Sequence, residues 1–360
     1  MSLRTLQITN LRNIASANID CSSQFNLFFG DNAAGKTSVL EAIYYLGTGK
    51  SFRTHHHDRV VHHAENQLTL FANLCAENSI IPIGLQRSRD GSLQIHINGE
   101  AARSVADISQ QLPIQFIGSD SHRILNDGPK CRRAFLDWGL FHTNPLFYSQ
   151  WKTFQRLLVH RNSALKARAP RDELLIWNNQ FAEVGEALNL LRNLYVNDFT
   201  PYFNEIISVL LPDLTISIEY FQGWDVDCAL ESCLTRNVSR ETSVGHSLYG
   251  PHRADLSLTV DGFPAQDGLS QGQQKLVSYA LRLAQGLHLQ TTVAKTPVYL
   301  IDDLPSELDP QKRTLVTEIL AGLRAQVFIT GIEACDLEEI LDLNEGNRMF
   351  HVKHGMITHH

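Results

Sequence analysis

The N-terminal stretch alternates apolar and polar positions twice and then stops alternating. "LRTLQITN" (3–10) and "SANIDCS" (16–22) keep roughly the period of two expected of half-buried strands, whereas "FNLFFG" (25–30) is apolar up to its glycine but for Asn26, as a strand covered on both faces would be. The period then lengthens. In "TSVLEAIYYLG" (37–47), Val39, Leu40, Ala42, Ile43 and Leu46 share one helical face, and Gly47 is the expected stop. Further short strands are predicted in "QLTLFANL", "IIPIGLQRS" and "SLQIHINGE", the last with an Asn98-Gly99 hairpin turn. From 128 to 210 the pattern is helical, broken at "KARAPRDE", where Pro170 predicts the turn of an antiparallel helix pair. "LTISIEYF" and "ADLSLTVDG" return to strands. "TPVYLIDDLPSELD", "QKRTLVTEILAGL" and "AQVFITG" then predict a second β-α-β unit.

Three short motifs sit at the ends of these elements. "GDNAAGKT" satisfies G-x-x-x-x-G-K-[ST] between an apolar strand and a helix, the setting a phosphate-binding P-loop requires. Backbone amides of Gly30, Asp31, Asn32, Ala33, Ala34 and Gly35 can wrap phosphates, Lys36 can reach the β and γ oxygens, and the Thr37 hydroxyl can ligate magnesium. "VYLIDD" is an apolar strand ending in two carboxylates, which suits Asp302 to a Walker-B role toward magnesium and Asp303 to orienting or deprotonating water. In "GLSQGQQKLVSYALRLAQ", Ser270 and Gln273 have capping-box spacing; the open amides nearby can also seat an anion, and the two roles are compatible.

Composition narrows the class without choosing the partner. With 360 residues, 43% apolar and 19% charged, the chain can fold as two or three ordinary globular units. A formal charge of −7 and a pI near 6.1 argue against a generally basic nucleic-acid binder, yet leave room for a local patch. The six cysteines lack C-x-x-C or zinc-like spacing, and no signal or membrane-spanning pattern is seen; a reduced, cytoplasmic protein is expected. The histidines at 55–57, 62 and 63 allow either a metal site or a solvated or phosphate-facing loop. Basic residues of the helical region, Arg156 and Arg161 foremost, are either a solvated face or a phosphate-contacting one.

With both Walker motifs present, "LSQGQ" resembles the L-S-x-G-Q signature of ABC-type ATPases, and "SELD" (Ser306 to Asp309) resembles their D-loop. That resemblance implies that Ser270, Gln271, Gly272 and Gln273 act in trans, on ATP held by a second copy, in an ATP-dependent head-to-tail homodimer. Lys36 and Ser270 are too far apart for a transporter subunit, and the insertion between them lacks extended heptads. The ordered set "LRNI", "GDNAAGKTSVLEAIYYLGTGKSFRT", "GPKCRRAFLDWGLF", "RNSAL", "GPHRADL", "LSQGQQKL" and "IDDLPSELD" resembles the RecF family of bacterial replication and repair proteins.

The resemblance implies an α/β fold: an ABC-type P-loop ATPase head, with mixed sheets around the P-loop helix and an inserted, mainly helical second lobe. The expected boundaries are 1–125 with 291–360 for the ATP-binding lobe and 126–290 for the lobe carrying the signature. It further implies ATP and Mg2+ as cofactors, binding to single-stranded, gapped or junction DNA, work with RecO and RecR in loading recombinase, support of SOS induction, and weak DNA-dependent ATPase activity. Asp303 where transporter ATPases have glutamate, Thr330 where they have a switch histidine, and Gln115 in "LPIQFIG" as the only candidate γ-phosphate sensor all suit a slow switch. The competing classes are a transporter ATPase subunit, which needs a membrane partner, and a nuclease, which needs an added carboxylate-rich metal domain.

Overall fold

A computed structural model describes residues 2–76, 79–341 and 345–360. In chain order, β1 (Ser2–Leu11), β2 (Ile14–Asp20) and β3 (Phe25–Phe29) precede α1 (Lys36–Thr48). Next come β4 (Gln67–Ala76), β5 (Ser79–Ser88), β6 (Leu93–Ile97), β7 (Glu100–Ala101), α2 (Val105–Gln111) and β8 (Ile114–Ile117). The middle of the chain forms α3 (Arg123–Asn126), α4 (Pro129–Thr143), α5 (Phe147–Lys166), α6 (Arg171–Leu210), β9 (Ile216–Phe221), α7 (Leu230–Val244), β10 (Asp255–Val260), β11 (Phe263–Pro264) and α8 (Ala265–Gly268). After α9 (Gln271–Val293) follow β12 (Val298–Ile301), α10 (Leu304–Glu307), α11 (Pro310–Gly322), β13 (Val327–Thr330), α12 (Cys335–Leu341), β14 (Arg348–Lys353) and β15 (Met356–His359). The chain divides into two compact units, Met1–Ser121 with Leu281–His360, and His122–Ala280, the second division falling within α9.

In the first unit, an antiparallel sheet has the order β2-β1-β4-β5-β6-β7 and a mixed sheet the order β15-β14-β3-β13-β12-β8. All neighbours from β14 through β8 are parallel. The continuously apolar strands are buried as their composition demands: every residue of Val298–Ile301 and Val327–Thr330 is buried. Side chains of both sheets and of α1 share one core, which includes Leu6, Leu70, Ile43, Phe28, Leu300 and Phe350. This corrects the one-faced helix expected from the apolar stripe. α1 also buries Ser38, Glu41 and Tyr45, because sheet residues cover it on more than one side.

The helix stop is also corrected. Gly47 lies inside α1, where a Cβ would strike Ile114, and the turn that closes the helix is at Gly49, with φ 64° and its N–H on Tyr45 O at 2.8 Å. Gly47 is a packing glycine and Gly49 the conformational one. The Asn98-Gly99 turn adopts the expected left-handed geometry, with φ 54° and 81°.

In the second unit, α5 and α6 pack together and are joined through Pro170, and the strands form a three-stranded sheet of order β11-β10-β9. α7 was not anticipated, although Leu230, Cys233, Leu234 and Val238 make a helical stripe in its sequence. Arg161 is a correction of another kind. Its side chain is fully buried, donating to Asn178 Oδ1 (2.9 Å) and Ser247 Oγ (2.6 Å) and pairing with the equally buried Glu241 at 2.5 Å. A guanidinium so enclosed cannot touch DNA, while Arg156 on the same helix is exposed. His252 lies against Phe154 and Phe181, with Nε2 on the Ser247 carbonyl at 3.0 Å and Nδ1 buried without a partner; burial pushes its pKa down to about 4.

Among the described residues all six cysteines are free, no three or more His, Cys, Asp or Glu side chains are grouped to hold a metal ion, and no helix is long and apolar enough to cross a membrane.

Candidate nucleotide site

The loop between β3 and α1 leaves the carboxyl edge of a parallel sheet, where open α/β folds hold ligands. Its backbone is turned by three left-handed residues, Gly30 (φ 143°), Ala33 (φ 63°) and Gly35 (φ 121°), a pattern that faces successive amides into one concavity. Gly30 is required twice over, since a Cβ there would also run into the carbonyl oxygen of Val352 on β14. Asn13 braces the loop from outside. Its amide donates to Ala34 O at 3.0 Å, its oxygen accepts from Ser38 Oγ at 3.1 Å, and Gly355 N adds a second bond to Ala34 O at 2.8 Å.

Lys36 bends back over the loop, Nζ donating to Gly30 O at 2.6 Å and Asp31 O at 2.9 Å. Burial lowers its pKa, and Asp303, Asp302 and Asp31 oppose that shift. Its cation is thus held by two carbonyls within reach of the concavity. From the far end of the chain, Asp302 follows β12 and meets Thr37: Thr37 Oγ1 donates to Asp302 Oδ1 at 3.0 Å, and Thr330 Oγ1 donates to the same oxygen at 2.7 Å. Burial raises the Asp302 pKa, while the Thr330 and Thr37 hydroxyls favour its charged form. Asp303 sits in left-handed backbone (φ 55°), its N–H on Thr330 Oγ1 at 2.8 Å and its Oδ1 buried without a partner.

These groups line a cleft of about 730 Å³, together with Arg12, Arg53, His62 and His63. Arg12 is fixed by a two-pronged pairing with the buried Glu41, at 2.8 and 2.7 Å, and Arg53 lies 3.6 Å from the same carboxylate. A hydroxyl and a carboxylate converging 3.0 Å apart, beside an unpartnered carboxylate oxygen, are a hard oxygen set of the kind magnesium takes. A cation-rich wall and a P-loop complete a place for a polyphosphate.

Gln115 is not part of this cleft. It is fully buried on β8, its amide donating to Gln285 Oε1 and accepting from Arg282, each at 3.0 Å, so sensing a phosphate would break both bonds. Ser306 is exposed on α10, and Asp309 caps α11 by accepting from Lys312 N at 2.9 Å. Ser270, Gln271, Gly272 and Gln273 belong to the His122–Ala280 unit. There the capping box forms in both directions, Ser270 N to Gln273 Oε1 at 2.9 Å and Gln273 N to Ser270 Oγ at 3.3 Å. No atom lies within 4 Å of where a Gly272 Cβ would stand. Sequence reasoning missed the Arg12–Glu41 pair and the Asn13 brace of the loop; "LRNI" and the helical "LEAIY" hold Arg12, Asn13 and Glu41, but only folding shows what each of them meets.

Parallel sheet, P-loop and carboxylate-ended strand define an ABC-type P-loop ATPase head of the kind found in chromosome-structure proteins. Residues 2–358 match the family model for the "RecF/RecN/SMC N terminal domain". A curated relative from Shewanella denitrificans, named "DNA replication and repair protein RecF", is 42% identical over 99% of both chains. The chain belongs to the RecF family. A solved structure described as "recombination mediator protein RecF-ATPrS in RecFOR pathway" superposes with a TM-score of 0.87 at 25% identity, covering 99% of this chain and 97% of that one. An Smc head bound to the C-terminal winged-helix domain of ScpA shares the fold alone, at TM-score 0.60 and 14% identity, covering 100% of this chain and 97% of the other.

Proposed function

We propose that this chain is an ATP-operated switch of recombinational DNA repair. The observation that carries the proposal is the meeting of Thr37, Asp302, Asp303 and Thr330 at the mouth of the P-loop. In this reading the amides of Gly30 to Lys36 hold the phosphates of ATP. Thr37 and Asp302 hold Mg2+, whose charge offsets that of the β and γ phosphates when bound. Thr330 keeps Asp302 oriented, and Asp303 presents its free oxygen to the attacking water as the weak base of a slow hydrolysis. Residues 1–125 with 291–360 serve as the ATP-binding lobe. Residues 126–290 present Ser270 to Gln273 and the D-loop neighbours Ser306 and Asp309 approach the same interface, so that a second copy completes each site in a head-to-tail dimer.

The clamped dimer would then hold single-stranded, gapped or junction DNA, cooperate with RecO and RecR in loading recombinase, and so support SOS induction. The naming of relatives for replication and repair and the ATP-analogue complex in the RecFOR pathway support this reading. Sedimentation of the Asp303→Asn protein with and without Mg-ATP, followed by titration with gapped, duplex and single-stranded DNA, tests it. ATP-dependent dimerisation with preference for gapped DNA is expected. A persistent monomer at saturating ATP rules out the clamp, and equal affinity for the three DNAs rules out junction recognition.

A further inference from the structure

In the His122–Ala280 unit, β9 is an edge strand: β10 pairs with it along its whole length and, among the described residues, no strand lies on its other side. Two adjoining cavities of about 570 and 470 Å³ run beside it, sharing Thr200, Asn204 and Ile218. Ile216, Ser217, Ile218, Glu219 and Tyr220 all line them. Successive side chains of a strand point to opposite faces, so a groove lined by consecutive residues follows the strand's edge, where the main chain itself is open.

The other wall is the polar stripe of α6. Asn193, Asn197, Thr200 and Asn204 follow one another at helical spacing on a single face, and the three asparagines are exposed. Pro201, inside the helix and in the same wall, has no N–H for the Asn197 carbonyl, which is left as a further acceptor. The floor between is apolar at Val196 and Ile218.

We propose that this groove docks an extended segment of a partner polypeptide, added beside β9 as a fourth strand. An extended chain has two polar edges: β9 would pair with one, and the asparagine amides, each a donor and an acceptor like a peptide group, would meet the other. Lengths agree, since six residues of strand span about 20 Å and the stripe from Asn193 to Asn204 about 16 Å. Alternate apolar side chains of the guest fit the floor, and a Lys or Arg on it faces the exposed carboxylate of Glu219.

A displayed library of random ten-residue peptides, selected on the full-length protein, tests this. Enriched peptides should alternate apolar and polar residues and carry a basic one. Synthetic copies should lose about tenfold in affinity, the equivalent of about one good hydrogen-bond set, for the Asn197→Ala/Asn204→Ala protein. Methylating alternate backbone nitrogens of the peptide should abolish binding, with melting temperature and ATP affinity of the protein unchanged. Enrichment no better on the wild-type than on a Thr200→Arg protein overturns the proposal, as does binding indifferent to backbone methylation. A nucleotide-free dimer that Thr200→Arg dissolves also overturns it, by making a second copy the occupant.

Discussion

Thr37 and Asp302 are 265 residues apart in the chain, and the hydroxyl of the first donates to the carboxylate of the second at 3.0 Å. The contact joins the start of α1 to the end of β12 and, with Thr330, favours the charged form of Asp302 against the upward push of burial. It is the basis of the first expectation.

Thr330→Val removes the 2.7 Å bond that orients Asp302 without touching the P-loop. Loss of such a supporting partner lowers metal affinity by about 10–100-fold. Titration of Mg2+ into the ATP-loaded protein should show that loss, whereas metal-free nucleotide binding changes little. Lys36→Met should remove ATP binding altogether while leaving far-UV circular dichroism intact; unaltered nucleotide affinity would refute the phosphate role of Lys36.

Gly272 separates fold from assembly. With open space where its Cβ would stand, Gly272→Asp should leave the melting temperature of the monomer within about 2 °C, as expected of an exposed site worth under about 0.5 kcal/mol. ATP binding to the monomer should persist and ATP-driven dimerisation should fail, read together by sedimentation and nucleotide anisotropy. A normal dimer would show that the signature segment lies outside the interface.

His252 should make the second unit acid-labile. Its folded pKa is depressed to about 4 from an ordinary 6.5, so the unfolded chain takes up a proton first as pH falls. The stability it contributes is full above pH 6.5 and drains away on acidification toward pH 4. At about 1.4 kcal/mol per unit, the loss is on the order of 3 kcal/mol. Urea unfolding of wild-type and His252→Phe proteins should differ by this amount in the stability each loses between pH 6.5 and pH 4.

Arg161 and Arg156, five residues apart on α5, should behave oppositely. Arg161→Met strands the buried Glu241 and should cost about 3–5 kcal/mol of stability, much of it recovered by adding Glu241→Leu. Arg156→Glu should leave stability unchanged and, if α5 faces DNA, weaken DNA binding and reduce its salt dependence by about one charge contact.

What could be seen in the sequence follows from the range of the interactions. The P-loop, the β12 carboxylates, the Asn98-Gly99 turn and the Ser270 capping box are local: a few adjacent residues carry their own geometry. Arg161 looked like its neighbour Arg156, because burial depends on Glu241, eighty residues away, and nothing near Arg161 announces it. Gly47 reads as the helix stop from its own neighbours, and only the folded contact with Ile114 shows it to be a packing glycine. Gln115 had the right residue type and the wrong neighbours. The Arg12–Glu41 pair and the bonds from Asn13 to the loop were missed for the same reason, since each joins two segments whose sequences give no sign of each other.

The close approach of Gly30 to Val352 and the bond from Gly355 N to Ala34 O carry a consequence for synthesis. The phosphate loop leaves the ribosome early, but the backbone that shapes it, around Val352 and Gly355, is translated about 320 residues later, which at about 5–20 residues per second is tens of seconds. A nascent chain therefore carries the complete ATP motif long before it has a rigid ATP site. Chains stopped before Val352 and Gly355 should therefore bear the motif without the contacts that brace it.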